Sequence, residues 1–332
     1  MGFKQVGATI LDTMPGASKP FAMDAAGIAS GQAFLTSELE KRDMLVRTPL
    51  TSFTYSRDIP VRVGGGWAEF VSAMNVGYGL TGGSGEGMIG SGSADGIPMV
   101  QADFGKDLWK THAIYAGTRV FWIDMQKGNL TGRNIDTLLR DGLRMAYDKH
   151  MDENVYAGFA KYGTTGLMNN ADVTITSATG NFSALTPDQI LADINNAILT
   201  AWAAAGYDLD AVPNHILLPY QQYNYIATTR VSQIAEKTIL TFLLENNVAK
   251  NYGVDLFIGA TAWCAGAGAG GTDRMVTYCN KERFIAIDEL VPLTRAMTTP
   301  NAERFSYDTA YAGNVSETEV FYPETILYTD GI

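Results

Sequence analysis

"WAEFVSAMNVGYGLTGGSGEGMIGSGSADGIPMVQADF", residues 67–104, decides how the rest of the chain is read. "WAEFVSAMNV" is rich in aromatic and β-branched residues and predicts a strand, and "IPMVQADF" predicts a second extended segment. Between them runs a stretch dominated by glycine. Strand, long tip and returning strand describe an extended hairpin. The tip has too little apolar area to offset its own ordering entropy, so it either flexes in solution or is ordered by a neighbouring surface.

Inside that stretch, Gly77, Gly79 and Gly82 match G-x-G-x-x-G. A dinucleotide site needs a helix directly after the glycines, because the helix N-terminus supplies amides to the pyrophosphate. The chain continues instead as "GSGEGMIGSGS", in which each glycine costs a helix about 1 kcal/mol. No Lys-Ser or Lys-Thr pair comes next to make a P-loop, and no acidic residue stands where the ribose hydroxyls require one. The glycines read as a flexible tip. A nucleotide-binding α/β enzyme is the alternative from another class.

Working outward, the 332-residue chain has 46% hydrophobic and 18% charged residues, the balance of a folded protein. A net charge of −11 with no basic run argues against a nucleic-acid binder, whose affinity rests on clustered Lys and Arg. There is no apolar run long enough to span a membrane and no secretory signal pattern at the N-terminus. Two cysteines, Cys264 and Cys279, are too few for a disulfide scaffold and read as reduced thiols.

Residues 1–60 read as an arm. "SGQAFLTSELEKRD" sets Phe34, Leu35 and Leu39 along one side of a short helix, and Pro49 and Pro60 stop any continuation. "THAIYAGTRVFWIDM" predicts another strand. From about 131 to 162, apolar residues recur at spacings of three and four, which predicts a long helix with Thr131 as cap and Gly163 at its stop. Thr186 and Pro187 open a further helix. "HILLP", "VDLFIG", "RMVTYC" and "RFIAIDEL" predict strands, "PYQQYNYIATT" and "EKTILTFLLENN" helices, and "ETEVFYPETILYTDGI" one closing strand.

Candidate chemistries are sparse. His150 and Glu153 share a helical face, but His112 and His215 stand in unrelated segments, so no ligand set forms and the pair reads as surface charge. No G-x-S-x-G elbow occurs, and neither cysteine has a base in a suitable context. Asp208/Asp210 and Asp288/Glu289 are pairs of the kind any acidic chain offers. No catalytic residue, metal or cofactor is expected, and the protein reads as a non-enzyme.

The order of segments resembles the tailed-bacteriophage major capsid proteins of the Hong Kong 97 type over most of the chain. The resemblance is carried by the arm and "IPVRVGGGWAEFVSAMNVGYG", by the helix ending "VYAGFAKYGTTGLMNN" with its turn Gly166-Leu167-Met168-Asn169, by "HILLPYQQYNYI" and "TILTFLLENN", and by the tail "VFYPETILYTDGI". It implies an α+β capsid fold: an N-terminal arm (1–60), an extended loop or E-loop (61–105), a peripheral domain with a long spine helix (106–170 and 300–332), and an axial α/β domain (171–299). It implies a shell protein that associates with itself, as pentamers and hexamers, into an icosahedral virion head around double-stranded DNA bound without sequence specificity. Assembly would take place in the bacterial host cytoplasm, away from membranes, with portal, scaffolding and decoration proteins as further partners. An encapsulin-like compartment is the alternative within the same fold.

On this resemblance the expected assembly contacts are Phe34, Leu35, Leu39, Trp67, Phe70, Gly77, Gly79, Gly82 and Met88. Only about sixty residues precede the loop, fewer than in relatives with a built-in scaffolding segment, so a separate scaffolding protein or a trimmed precursor is expected. Some relatives form covalent links through a loop lysine. The segment from Gly64 to Gly105 has no lysine, so noncovalent stabilisation is expected here.

Overall fold

In the computed structural model the described residues are 52–81, 99–131, 134–232 and 237–332. All of the named elements belong to the compact unit Phe53–Ile332. In chain order these are α1 (Tyr55–Asp58), β1 (Val61–Val63), β2 (Phe70–Thr81), β3 (Met99–Phe121), α2 (Trp122–Thr131), α3 (Ile135–Tyr156), β4 (Thr174–Ser177), α4 (Pro187–Ala204), β5 (His215–Leu218), α5 (Tyr220–Thr228), α6 (Ile239–Glu245), α7 (Val248–Asn251), β6 (Phe257–Ala260), β7 (Arg274–Tyr278), β8 (Ile285–Glu289), β9 (Val291–Asn301), β10 (Ser306–Ser316), β11 (Glu319–Val320) and β12 (Ile326–Asp330).

They form three sheets, ordered β1-β8-β11, β2-β3-β10-β9 and β4-β12-β7-β5-β6. The third is packed by α4, which starts at Thr186 with the Thr186 amide donating to Gln189 Oε1 at 3.0 Å and Pro187 in the first turn. Its face Ile190, Ile194, Ala197, Ile198 and Ala201 is buried with Ile216, Leu218, Ile258 and Leu327 of the sheet. A second core joins Met151, Val155 and Tyr156 of α3 to Val276, Tyr278, Ile285, Ile287, Val315 and Tyr328.

The long helix differs from expectation at both ends. Thr131 is the last residue of α2, and the cap is Asn134, whose side chain accepts from the amides of Asp136 and Thr137. The helix stops at Tyr156 because Gly158, at φ +69°, turns the chain left-handed and its amide donates back to Glu153 and Asn154 carbonyls. Gly163 ends only a short 3-10 turn, Ala160–Tyr162. At 1.5 Å per residue, α3 is about 33 Å long.

The Gly166–Asn169 turn completes that helix end. Leu167 and Met168 amides donate to the carbonyls of Val155 and Tyr156 at 2.8 and 2.9 Å, and Asn169 Nδ2 donates to Ala157 at 2.8 Å. The two segments cross so closely that a Cβ on Gly166 would lie 2.4 Å from the Tyr156 carbonyl carbon. Gly166→Ala is therefore expected to lower stability by about 1–3 kcal/mol, read as a lower thermal unfolding midpoint, while Thr165→Ala at the exposed neighbouring position leaves it unchanged.

The closing segment also differs. It supplies two strands in two sheets, β11 beside β8 and β12 between β4 and β7, separated by a 3-10 turn at Pro323–Thr325. β12 thus lies in the sheet built from residues 174–278, not beside the spine helix's own sheet. The β9–β10 hairpin, without a counterpart in the sequence reading, turns through Phe305 at φ +49°.

Candidate assembly surface

The hairpin read from residues 67–104 is present and longer than its two sequence signals. β2 and β3 pair antiparallel without a break from Phe70↔Lys110 to Thr81↔Met99. β3 continues past residue 105 as one strand, and its second half, Thr111–Phe121, pairs with β10. One 23-residue strand therefore runs from the body sheet into the ribbon, which gives the ribbon a continuous backbone support.

Directly opposed residues in an antiparallel pair point to the same face. One face of the ribbon carries Phe70, Met74, Val76, Tyr78, Val100, Phe104 and Leu108, with Lys106 and Lys110 interleaved. The other carries Ala73, Asn75, Gly77 and Gly79 with Asp103, Gly105 and Asp107, where Asn75 Nδ2 donates to Asp107. The apolar face is open: Met74, Tyr78 and Phe104 are 72, 77 and 67% exposed. At the root the polar side turns inward, and Trp109 packs edge-on against Phe321 at 5.1 Å. A two-stranded ribbon in water is marginal by itself, and this one presents a row of large apolar side chains to solvent.

Of the expected contacts, Trp67 and Phe70 are exposed at the start of the ribbon. Gly77 and Gly79 correct the reading of a flexible tip at these positions: they are ladder residues of β2, opposite Asp103 and Gln101. Their missing side chains leave the polar face flat, so their use there is steric. Gly82 and Met88, and Phe34, Leu35 and Leu39, lie outside the described residues. Met74, Val76, Tyr78, Phe104 and Leu108 are the surface residues that the sequence reading did not single out. Part of their signal is present as apolar residues at Phe70, Met74, Val76 and Tyr78, broken by Ser72.

The residues weighed for chemistry disperse. His150 stacks on Phe159 at 4.5 Å. Asp288 binds Arg62 while Glu289 accepts from the Tyr147 hydroxyl at 2.6 Å. Asp210 is held below the usual carboxylate range by hydrogen bonds from Lys281 and Arg283. Both cysteines are buried and free, and burial pushes the Cys279 thiol up to about 11 and Cys264 further. Among the described residues no helix is long and apolar enough to cross a membrane.

A spine helix against a four-stranded sheet that extends into a ribbon, joined to a five-stranded mixed sheet with helices, defines the fold class of tailed-phage capsid subunits. The solved capsid of Myoviridae phage XM1 matches with a TM-score of 0.76 at 18% identity, covering 89% of this chain and 98% of that one. The Microbacterium phage Oxtober96 structure matches at TM-score 0.61 and 12% identity over 90% of this chain and 98% of its own. The capsid of a native GTA particle matches at 0.61 and 11% identity, over 88% of this chain and 94% of that one. No curated protein matches the chain in sequence. The profile of the major capsid protein family matches residues 85–332, and the chain belongs to that family. It is a structural protein of the virion head shell.

Proposed function

We propose that the chain builds a closed icosahedral shell around double-stranded DNA by association of its own copies, with the β2–β3 ribbon laid apolar face down on a neighbouring subunit. One observation carries this reading: among the described residues nothing covers the ribbon's apolar face. Burying a large apolar side chain contributes about 1.5–3 kcal/mol, so seven such residues on one face supply a driving force that a single subunit leaves unused. Closed symmetry then turns many modest contacts into a stable container. On this reading, α3 and the β2-β3-β10-β9 sheet make the peripheral part, and the five-stranded sheet with α4 to α7 makes the axial part. The net charge of −11 suits a wall facing polyanionic DNA that has to leave again.

The test is particle size. Purified full-length chain, with a scaffolding protein where one is required, is expected to give uniform shells tens of nanometres across by negative-stain microscopy. A chain that stays monomeric or dimeric under all conditions overturns the reading. Nuclease-protected DNA inside purified particles is the expected content, whereas a bound cargo enzyme would identify an encapsulin-like compartment instead.

A further inference from the structure

On its β2 side the ribbon joins its own subunit through a short segment with two unusual properties. Gly64, Gly65 and Gly66 have φ of +125°, +115° and +70°, a run of backbone conformations that only glycine adopts without strain. Immediately before them, β1 is held to β8 by three parallel pairs, and Arg62 stands opposite Asp288. The guanidinium reaches two carboxylates. Arg62 Nε donates to Asp288 Oδ1 at 2.5 Å, and Nη2 donates to Glu319 of β11.

Glu319 lies opposite Ala286, two residues along β8 from Asp288 and on the same face, so the small Ala286 side chain leaves room for Arg62 to reach over the central strand. Two carboxylates against one guanidinium leave an excess negative charge. Glu319 has a fully buried side chain, and its Oε1 has no hydrogen-bond partner. An ionised carboxylate with an orphaned oxygen is a costly thing to bury, and one proton removes the charge, the larger of the two costs.

The surroundings agree. Burial first, and then the Asp288 charge, push Glu319 up to about 7, against the opposing pull of Ser316 and Arg62. The adjacent acids are occupied elsewhere: Glu317 accepts from the Lys110 amide at 3.0 Å, and Glu289 accepts from Tyr147. Arg62 is also the link to the ribbon. Its guanidinium lies over the Phe321 ring at 5.6 Å, and Phe321 packs on Trp109 of β3. Beyond the glycines, Asn314 Nδ2 holds the carbonyls of Gly66 and Ala68 at 3.3 and 3.0 Å.

We infer that Arg62, Asp288 and Glu319 form a proton-sensitive clasp at the root of the ribbon, closed while Glu319 carries a proton and loosened when it ionises. This goes beyond the assembly reading, because it concerns how the ribbon is set against its own subunit and holds whether or not shells form. The direction is set by linkage. The closed state binds the proton more tightly than an opened, solvated Glu319, so the clasp is at full strength below the ordinary glutamate range. It weakens as pH rises from there through about 7.

Hydrogen exchange on the full-length chain, monitored by mass spectrometry from pH 5.5 to 8.5 and corrected for intrinsic rates, tests it. Protection across residues 61–69 is expected to fall about tenfold over this range, while β7 stays unchanged. Glu319→Gln, which keeps the shape without the charge, is expected to hold the low-pH level throughout. Asp288→Asn removes the charge that raises Glu319 and is expected to move the midpoint to lower pH. A flat wild-type profile overturns the clasp, as does a Glu319→Gln variant that keeps the wild-type profile. So does an Asp288→Asn variant with an unmoved midpoint, and that comparison decides alone where the Gln variant does not fold.

Discussion

Phe104→Asp yields a folded subunit that no longer forms shells; this is the expected result where the ribbon's apolar face is an assembly surface. Phe104 stands opposite Val76 on that face and is 67% exposed, so its own subunit loses little when it is changed. In the shell the same residue would be covered. The variant then forfeits about 3 kcal/mol of burial at each contact and adds a carboxylate facing apolar surface, weakening each association more than about a hundredfold. Every subunit carries the change, so the effect multiplies around a closed particle. Sedimentation at concentrations where the parent assembles is expected to show particle yield down at least about tenfold, with the unassembled subunit's melting unchanged. Gln101→Asp puts the same charge on the opposite, polar face beside Gly79 and is expected to assemble normally. Normal particle yield from Phe104→Asp would remove the ribbon face from the interface.

The hairpin was legible because its strands carry their signal locally. Trp67 to Val76 holds aromatic and β-branched residues in one short run, and the glycines mark where the run ends. The finer division was obscured by Val71 and Ala73, which fill the intervening positions and blur the two-residue alternation that separates the faces. Gly77 and Gly79 were assigned to the tip because glycine reads as a breaker. In β2 their pairing with Asp103 and Gln101 overrides that preference, since ladder hydrogen bonds are indifferent to the missing side chain.

Other elements owe their existence to partners distant in sequence. β9 contains Pro292 and Pro300 and is mostly exposed, so little local marks it as a strand; β10 makes it one by pairing from Asn301 to Val291. Asn134 out-competes Thr131 as a helix cap because its side chain meets two amides at once, a matter of geometry that composition does not carry. The clasp joins residues 62, 288 and 319, three positions whose proximity is set by strand order alone. Pairs of acidic residues adjacent in sequence, such as Asp288 and Glu289, turned out to face different partners, because successive strand residues point to opposite sides.

The largest stability effect is expected at Arg274 and Asp330, cross-strand partners of β7 and β12 whose side chains are only 7 and 8% exposed. The pair is bidentate, with Arg274 Nε and Nη2 donating to the two Asp330 oxygens at 2.6 and 2.8 Å. The pair has further partners: Arg274 Nη1 donates to the Met168 carbonyl at 2.6 Å, the Ala269 amide donates to Asp330, and the guanidinium lies over Tyr328 at 4.4 Å. Asp330→Asn keeps the shape and strands a buried cation, and is expected to cost about 3–5 kcal/mol in the unfolding free energy of the unassembled subunit. Replacing Arg274 by Met as well is expected to cost less than the two single changes added together, because the second change removes the stranded charge. Burial alone would raise Asp330, but Arg274 and the Ala269 amide outweigh it and hold the carboxyl below its usual range. The pair's contribution is therefore complete above the ordinary aspartate range and disappears as pH falls through the lower folded value, the reverse of Glu319. The gap between the unfolding free energies of parent and Asp330→Asn is expected to narrow as the pH is lowered toward 3, and a gap that stays constant would show that charge is not what the pair contributes.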